Sequence, residues 1–234
     1  MKYARPLIRA VLIRRYKRFL ADVTLPDGSE TTAHCANPGA MTGLAAAGTV
    51  VWLEPNDDPK RKLRYSWRLA EINGALVGVD TALPNKLVGA ALRAQAVPAL
   101  ADYGTVRAEV KYGENSRVDF LLSAAGLPDC YVEVKSANLC RKAGLVEFPD
   151  TVTKRGAKHM GELAAMVALG HRAVVLYLVQ RSDCSAFAVA ADIDPAYNSA
   201  FETARKTGVD ALCYRAELGL DGARFGEALP IVAQ

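Results

Sequence analysis

The stretch VDFLLSAAGLPDCYVEVK, residues 118–135, decides how the second half of this chain folds. Two apolar runs flank a Gly-Leu-Pro-Asp segment, the pattern of an antiparallel hairpin. Folding it about Gly126 sets Asp119 opposite Glu133 and Leu121 opposite Tyr131. Alternate side chains of a strand share a face. Asp119, Glu133 and Lys135 therefore fall on one side; Phe120, Leu122, Cys130, Val132 and Val134 fall on the other. The second face is wholly apolar. A one-residue slip would bury the charges, so the pattern fixes the register.

Two directly opposed carboxylates repel by roughly 0.2–1 kcal/mol. A divalent cation between them reverses the sign. Mg²⁺ or Mn²⁺ takes oxygen ligands and keeps several waters, so Asp119, Glu133 and the Val134 carbonyl form a candidate metal set. A metal-bound water could then attack a phosphodiester. Lys135 would hold that water or offset the developing charge, which makes Asp119, Glu133 and Lys135 the candidate catalytic residues. The competing reading is structural: Glu133 and Lys135 form an ion pair, and Asp119 pairs with Arg117. Glu-Val-Lys also occurs at 109–111, and there Glu109 reads as a surface strand acid. The facing Asp119 is what sets the second copy apart.

The rest of the chain supplies two domains. Its 234 residues are 51% hydrophobic and 23% charged, enough apolar material for a core. Before Pro84 the pattern is β. A long run over 7–25 ends in the turn signal Pro26-Asp27-Gly28. Strands are expected at 31–35, 48–53 and Tyr65–Ile72, and Asn73-Gly74 is a hairpin turn into a further strand. Five short strands suit a barrel of the oligonucleotide/oligosaccharide-binding (OB) type, with an SH3-like barrel as competitor. After Pro84, helices are expected at 85–95, 151–169 and 195–207. Strands are expected at 106–112, 118–122, 130–134, Arg172–Val179 and 209–215. Arg172–Val179 is almost unbroken apolar sequence, the sign of a strand buried on both faces. The expected fold is thus an OB-like barrel over 1–84, then a restriction-endonuclease-like α/β domain with a central mixed sheet over 85–234.

Charge points to a polyanion. All of the net +4 comes from residues 1–84, with 12 Lys and Arg against 8 Asp and Glu; the remainder balances at 17 and 17. Arg14, Arg15, Lys17 and Arg18, interleaved with Tyr16 and Phe19, form one basic-aromatic cluster. Lys60, Arg61, Lys62 and Arg64, followed by Tyr65 and Trp67, form another. Cations neutralise phosphates and aromatic faces stack on unpaired bases, so DNA, or RNA, is the expected partner. The bland alternatives put Tyr16 or Phe19 in the barrel core and make Pro-Lys-Arg-Lys a solvated loop. The aromatics leave oligosaccharide binding as a further option. In the helix from Thr151, Arg155, Lys158, His159 and Glu162 fall opposite Met160 and Leu163. They read either as phosphate contacts, with His159 a proton carrier, or as a plain solvent face. His34 and Cys35 lack partners at ligand spacing and read as loop, and Asn37-Pro38-Gly39 as a turn.

Five cysteines without a CxxC pair suggest reduced thiols. Arg9, Arg14 and Arg15 interrupt the apolar amino terminus, and no apolar run approaches membrane-spanning length. A cytoplasmic protein without membrane contact is expected. A homodimer is compatible with the sequence.

The Asp–hairpin–Glu-x-Lys layout resembles the PD-(D/E)xK nuclease superfamily. More specifically, the chain resembles the bacterial sugar fermentation stimulation protein family. The segments that carry this are RRYKRFLADV (14–23), HCANPGAMTG (34–43), DDPKRKLRYSW (57–67), EVKYG (109–113), SRVDFLL (116–122), CYVEVKS (130–136), FPDTVTKRGAKHMGEL (148–163) and RAVVLYLVQRSD (172–183). The resemblance implies an OB-like first domain and a nuclease-like second one. It implies DNA binding and a link to sugar, especially maltose, metabolism. It also implies the catalytic set Asp119, Glu133 and Lys135, or else a non-catalytic DNA-binding regulator that keeps the nuclease scaffold. Departures fall at Pro38, where the family usually has Thr; at Ala157, where it has Gln; and at Gly89 and Ala90, where relatives often carry an acid.

Overall fold

The computed structural model describes residues 1–113 and 116–233. The chain begins with β1 (Ile8–Tyr16), β2 (Leu20–Thr24), β3 (Glu30–Cys35), β4 (Val50–Pro55), β5 (Tyr65–Ile72) and β6 (Ala75–Gly78). β1 pairs with β2 and β4, β2 with β3, and β4 with β5; a parallel β3–β5 pairing closes the ring, and β6 extends β5. This is a five-strand OB barrel, so the SH3-like alternative falls away. Its inward positions, among them Leu12, Val23, Ala33, Leu53 and Trp67, fill the interior.

Two sequence expectations fail in this domain. The run over 7–25 is not one strand. It breaks at a three-residue loop, Lys17–Phe19, between the paired Tyr16 and Leu20, in which Lys17 and Arg18 have φ values of 47° and 63°. Consecutive turn residues with positive φ usually carry Asn-Gly. Asn73 and Gly74 do so in the same barrel, with φ of 51° and 81°. Without Gly or Asn, the first turn has no sequence signal. Secondly, neither Tyr16 nor Phe19 enters the core: Tyr16 is half-buried and Phe19 is 44% exposed. Trp67 is the aromatic that does, with its indole N–H donating to the Leu69 carbonyl at 2.8 Å.

The second part contains α1 (Leu83–Arg93), β7 (Thr105–Tyr112), β8 (Ser116–Ser123), β9 (Cys130–Ala137), β10 (Leu139–Lys142), β11 (Gly144–Phe148), α2 (Lys154–Ala168), β12 (Arg172–Val179), β13 (Cys184–Val189), α3 (Pro195–Lys206), β14 (Asp210–Gly219) and β15 (Gly222–Ala228). Its main sheet runs β15-β14-β12-β9-β8-β7. β9, β12 and β14 are parallel neighbours and the outer pairings are antiparallel, so the sheet is mixed. A smaller sheet, β10-β11-β13, stands beside it.

The apolar run of β12 is buried on both faces. Ala173, Val175, Tyr177 and Val179 meet Met160, Leu163 and Tyr197 from α2 and α3. Val174, Leu176 and Leu178 share a second core with Leu87, Val88 and Leu92 of α1. The β8–β9 hairpin pairs Phe120 with Val132, Leu121 with Tyr131 and Leu122 with Cys130, which is the register obtained by folding about Gly126. Its apolar set, Phe120, Leu122, Cys130, Val132 and Val134, lies in the core beneath α1. Glu133 and Lys135 alternate with that set and project towards α2.

Candidate acid–lysine–histidine site

The β8–β9 ladder ends at the Phe120–Val132 pair. Two residues further along β9, the Val134 N–H donates to Asp119 Oδ2 at 2.7 Å, so the carboxylate takes the place of a strand partner. A strand residue presents its N–H and C=O to the same neighbour, which puts the Val134 carbonyl on the Asp119 edge too. Asn85 Nδ2, from the first turn of α1, donates to Asp119 Oδ1 at 2.6 Å. Burial, reinforced by the charge of Glu133, pushes the Asp119 carboxyl up to about 6. Asp119 makes no ion pair with Arg117, whose guanidinium instead lies 3.4 Å from the Glu109 carbonyl oxygen.

Glu133 is 3% exposed. Its Oε1 accepts from Lys135 Nζ at 2.8 Å and contacts His159 Nδ1. Lys135 Nζ also lies 3.3 Å from His159 Nδ1, so the three side chains close a triangle. Burial works against the Glu133 charge, but the His159 bond and the Lys135 ammonium outweigh it and hold the carboxyl below its ordinary value. Glu133 Oε2 is buried with no hydrogen-bond partner among the described residues. Two more orphaned atoms lie in the same region, Tyr112 Oη and Glu162 Oε2. Burial pushes the Tyr112 phenol far up, and the charges of Glu133, Glu162 and Asp119 add to it.

α2 does not carry its four singled-out polar residues on one solvent face. His159 is 3% exposed and belongs to the buried stripe of Gly156, Met160, Leu163 and Met166. That stripe follows helical spacing and includes His159, a signal already in the sequence. Arg155 and Lys158 are exposed. Lys158 Nζ lies 3.4 Å from Glu162 Oε1, which also accepts from Ser116 Oγ at 2.8 Å. Asn85 went unrecognised in the sequence, because nothing local ties the first turn of α1 to β8. α1 offers no acid here. A Cβ at Gly89 would stand 2.8 Å from Phe120 Cζ, and Ala90 faces solvent.

The basic clusters divide. Arg14 pairs with Asp22 at 2.9 Å and lies 4.9 Å from the Tyr16 ring centroid. Arg15 donates to the carbonyls of Arg18, Asn37 and Gly39. Both therefore hold local structure. Lys17 and Arg18 project from the hairpin tip; Lys60, Arg61, Lys62 and Arg64 are exposed on the β4–β5 loop, and Arg117 is exposed on β8. His34 and Cys35 are not loop: they are the last two residues of β3, and His34 stacks on Phe19, with ring centroids 6.4 Å apart.

A closed OB barrel joined to an α/β domain, with a buried Glu133 held by a lysine and a histidine beside the half-buried Asp119, defines a class of two-domain proteins. Residues 13–79 match the family model described as the SfsA N-terminal OB domain, and residues 82–222 match the sugar fermentation stimulation protein RE domain. The chain is 61% identical over 230 residues to the sugar fermentation stimulation protein homolog of Ruegeria pomeroyi, covering 98% of this chain and 100% of the relative. It is 49% identical to the homolog of Caulobacter vibrioides, covering 98% and 96%. Among solved structures, SfsA of Pyrococcus furiosus in complex with Ca²⁺ superposes with a TM-score of 0.88 at 25% identity, over 99% of this chain and 98% of that one. The chain belongs to the sugar fermentation stimulation protein family. No helix among the described residues is long and apolar enough to cross a membrane.

Proposed function

We infer that this protein binds nucleic acid and, with Mg²⁺ or Mn²⁺, hydrolyses phosphodiester bonds at Asp119, Glu133 and Lys135. The observation that carries the reading is the divided Glu133 carboxylate. Lys135 and His159 hold one oxygen, and the other is buried without a hydrogen-bond partner among the described residues, near the half-buried Asp119 carboxylate. A bare pair of this kind costs stability. Asp119, Glu133 Oε2 and the Val134 carbonyl suit a hard cation that retains waters. The Ca²⁺ bound by the archaeal relative is a cation of the same oxygen-seeking kind. When bound, such an ion supplies a Lewis acid and a water of lowered pKa. His159 and Lys135 fix the orientation of Glu133. The Lys135 ammonium supplies positive charge where a phosphorane would gain negative charge. Arg155 and Lys158, in the first turns of α2, add cations at a helix N-terminus, which favours phosphate.

Incubation with single- and double-stranded DNA and RNA, in Mg²⁺, Mn²⁺ or EDTA, tests the reading. Cleavage should require metal and disappear in Asp119→Ala and Lys135→Ala. The alternative is a DNA-binding regulator without catalysis. It is favoured by the two donors already on Asp119 and by the lack, among the described residues, of any group of three His, Cys, Asp or Glu side chains that could hold a metal ion. Salt-sensitive binding without cleavage, unchanged in both variants, would establish that alternative.

A further inference from the structure

We propose that the tip of the β1–β2 hairpin is a seat for one unpaired nucleotide of single-stranded DNA or RNA, with Phe19 as the stacking face and Lys17 and Arg18 as the phosphate contacts. The inference rests on the nucleic-acid reading above and adds the strandedness of the ligand. Phe19, 44% exposed, is the one exposed aromatic side chain among the described residues. Its ring is stacked on His34 at 6.4 Å between centroids with an interplanar angle of 18°, and close to half of the residue remains open to solvent. Every base offers a π-face, but in a duplex those faces are already stacked; only an unpaired base can cover Phe19.

The tip is built rather than loose. The Phe19 N–H donates to the Lys17 carbonyl at 2.7 Å, and its carbonyl accepts from the Cys35 N–H at 2.9 Å. Arg15 clamps the Arg18 carbonyl and the neighbouring loop at Asn37 and Gly39. A fixed ring loses less entropy on binding. Lys17 and Arg18 sit in left-handed backbone that Asn-Gly would adopt with less strain. Strained positions of this sort concentrate at functional sites. Neither residue forms an ion pair among the described residues. The loop that Arg15 clamps also touches the second part of the chain. The Met41 N–H donates to Asp150 Oδ2 at 3.2 Å, three residues before the Thr153 cap of α2.

The test is fluorescence anisotropy with labelled oligo-dT, oligo-rU and a duplex of matched length, in EDTA and at two salt concentrations. Phe19→Ala should weaken both single strands about tenfold and leave the duplex within about twofold, the size expected for one stacked base. Phe19→Trp should retain the affinity. Replacing Lys17-Arg18 with Asn-Gly should reduce the salt dependence of single-strand binding. Melting curves of each variant confirm folding. An equal loss for single strand and duplex, or no loss, overturns the seat. Loss for only one of oligo-dT and oligo-rU restricts it to that sugar and supports it. Wild-type protein that binds duplex alone overturns the seat and leaves nucleic-acid binding intact. Wild-type protein that binds none of the three overturns both.

Discussion

The tripeptide Glu-Val-Lys stands twice in this protein, and the two copies have opposite fates. Glu109-Val110-Lys111 lies on β7, an edge strand, with both charges in water and Glu109 at a positive φ of 55°. Glu133-Val134-Lys135 lies on β9, between β8 and β12, with Glu133 at 3% exposure. Water screens the first pair, and such pairs contribute little. The second is desolvated, so its charges must find partners. Glu133 finds them in Lys135 and in His159 from α2, while Asp119 across the hairpin accepts from the Val134 N–H between them. Position in the sheet, not the tripeptide, makes the chemistry.

The largest expected effect that sharpens this contrast is on stability. Glu133→Ala strands Lys135 without its counter-charge and should cost about 3–5 kcal/mol. Glu109→Ala should change stability by less than about 0.5 kcal/mol. Urea melts of the two variants, side by side, measure both.

The next effect is a pH dependence in EDTA. The Asp119 carboxyl is raised to about 6, so its contribution is fully present below the ordinary aspartate value and lost as pH rises through 6. The loss is on the order of 3 kcal/mol. Glu133 is lowered, so its contribution is present above its ordinary value and lost as pH falls. Stability should therefore decline between about pH 4 and 7 on the Asp119 limb. Asp119→Asn should flatten that limb alone. A decline that survives Asp119→Asn would assign it elsewhere.

Smaller effects follow at Tyr112 and the two hairpin turns. Tyr112→Phe removes a buried hydroxyl that has no partner and should stabilise by about 1 kcal/mol in thermal melts without metal. Asn-Gly at positions 17 and 18 should also stabilise, by less than about 1 kcal/mol, by relieving left-handed strain. Destabilisation there would show that Lys17 and Arg18 have a structural role.

The sequence carried the hairpin register because an apolar face alternates with a charged one, and that pattern admits one solution. The barrel was legible from Asn73-Gly74 and from strand spacing. The Lys17–Arg18 turn was not, since its residues contradict its backbone. β10, β11, β13 and β15 were missed: β10 and β15 are largely solvent-facing, so their residues show little apolar pattern. Asp119, Glu133 and Lys135 could be placed together by register alone. The buried position of His159 was in the helical spacing of α2, but the contact of Asn85 with Asp119 arises from α1 docking on the sheet, which local pattern does not encode. The exposure of Phe19 was misread because an aromatic in a strand is more often core.

The central claim is that burial and the facing Asp119 turn the second Glu-Val-Lys into a cation site. Calorimetric titration of Mn²⁺ at pH 8 tests it directly, on the wild type, Asp119→Ala and Glu109→Ala. The account predicts one Mn²⁺ per chain in wild type and Glu109→Ala, and none in Asp119→Ala. Equal binding by all three, or binding by none, would contradict it.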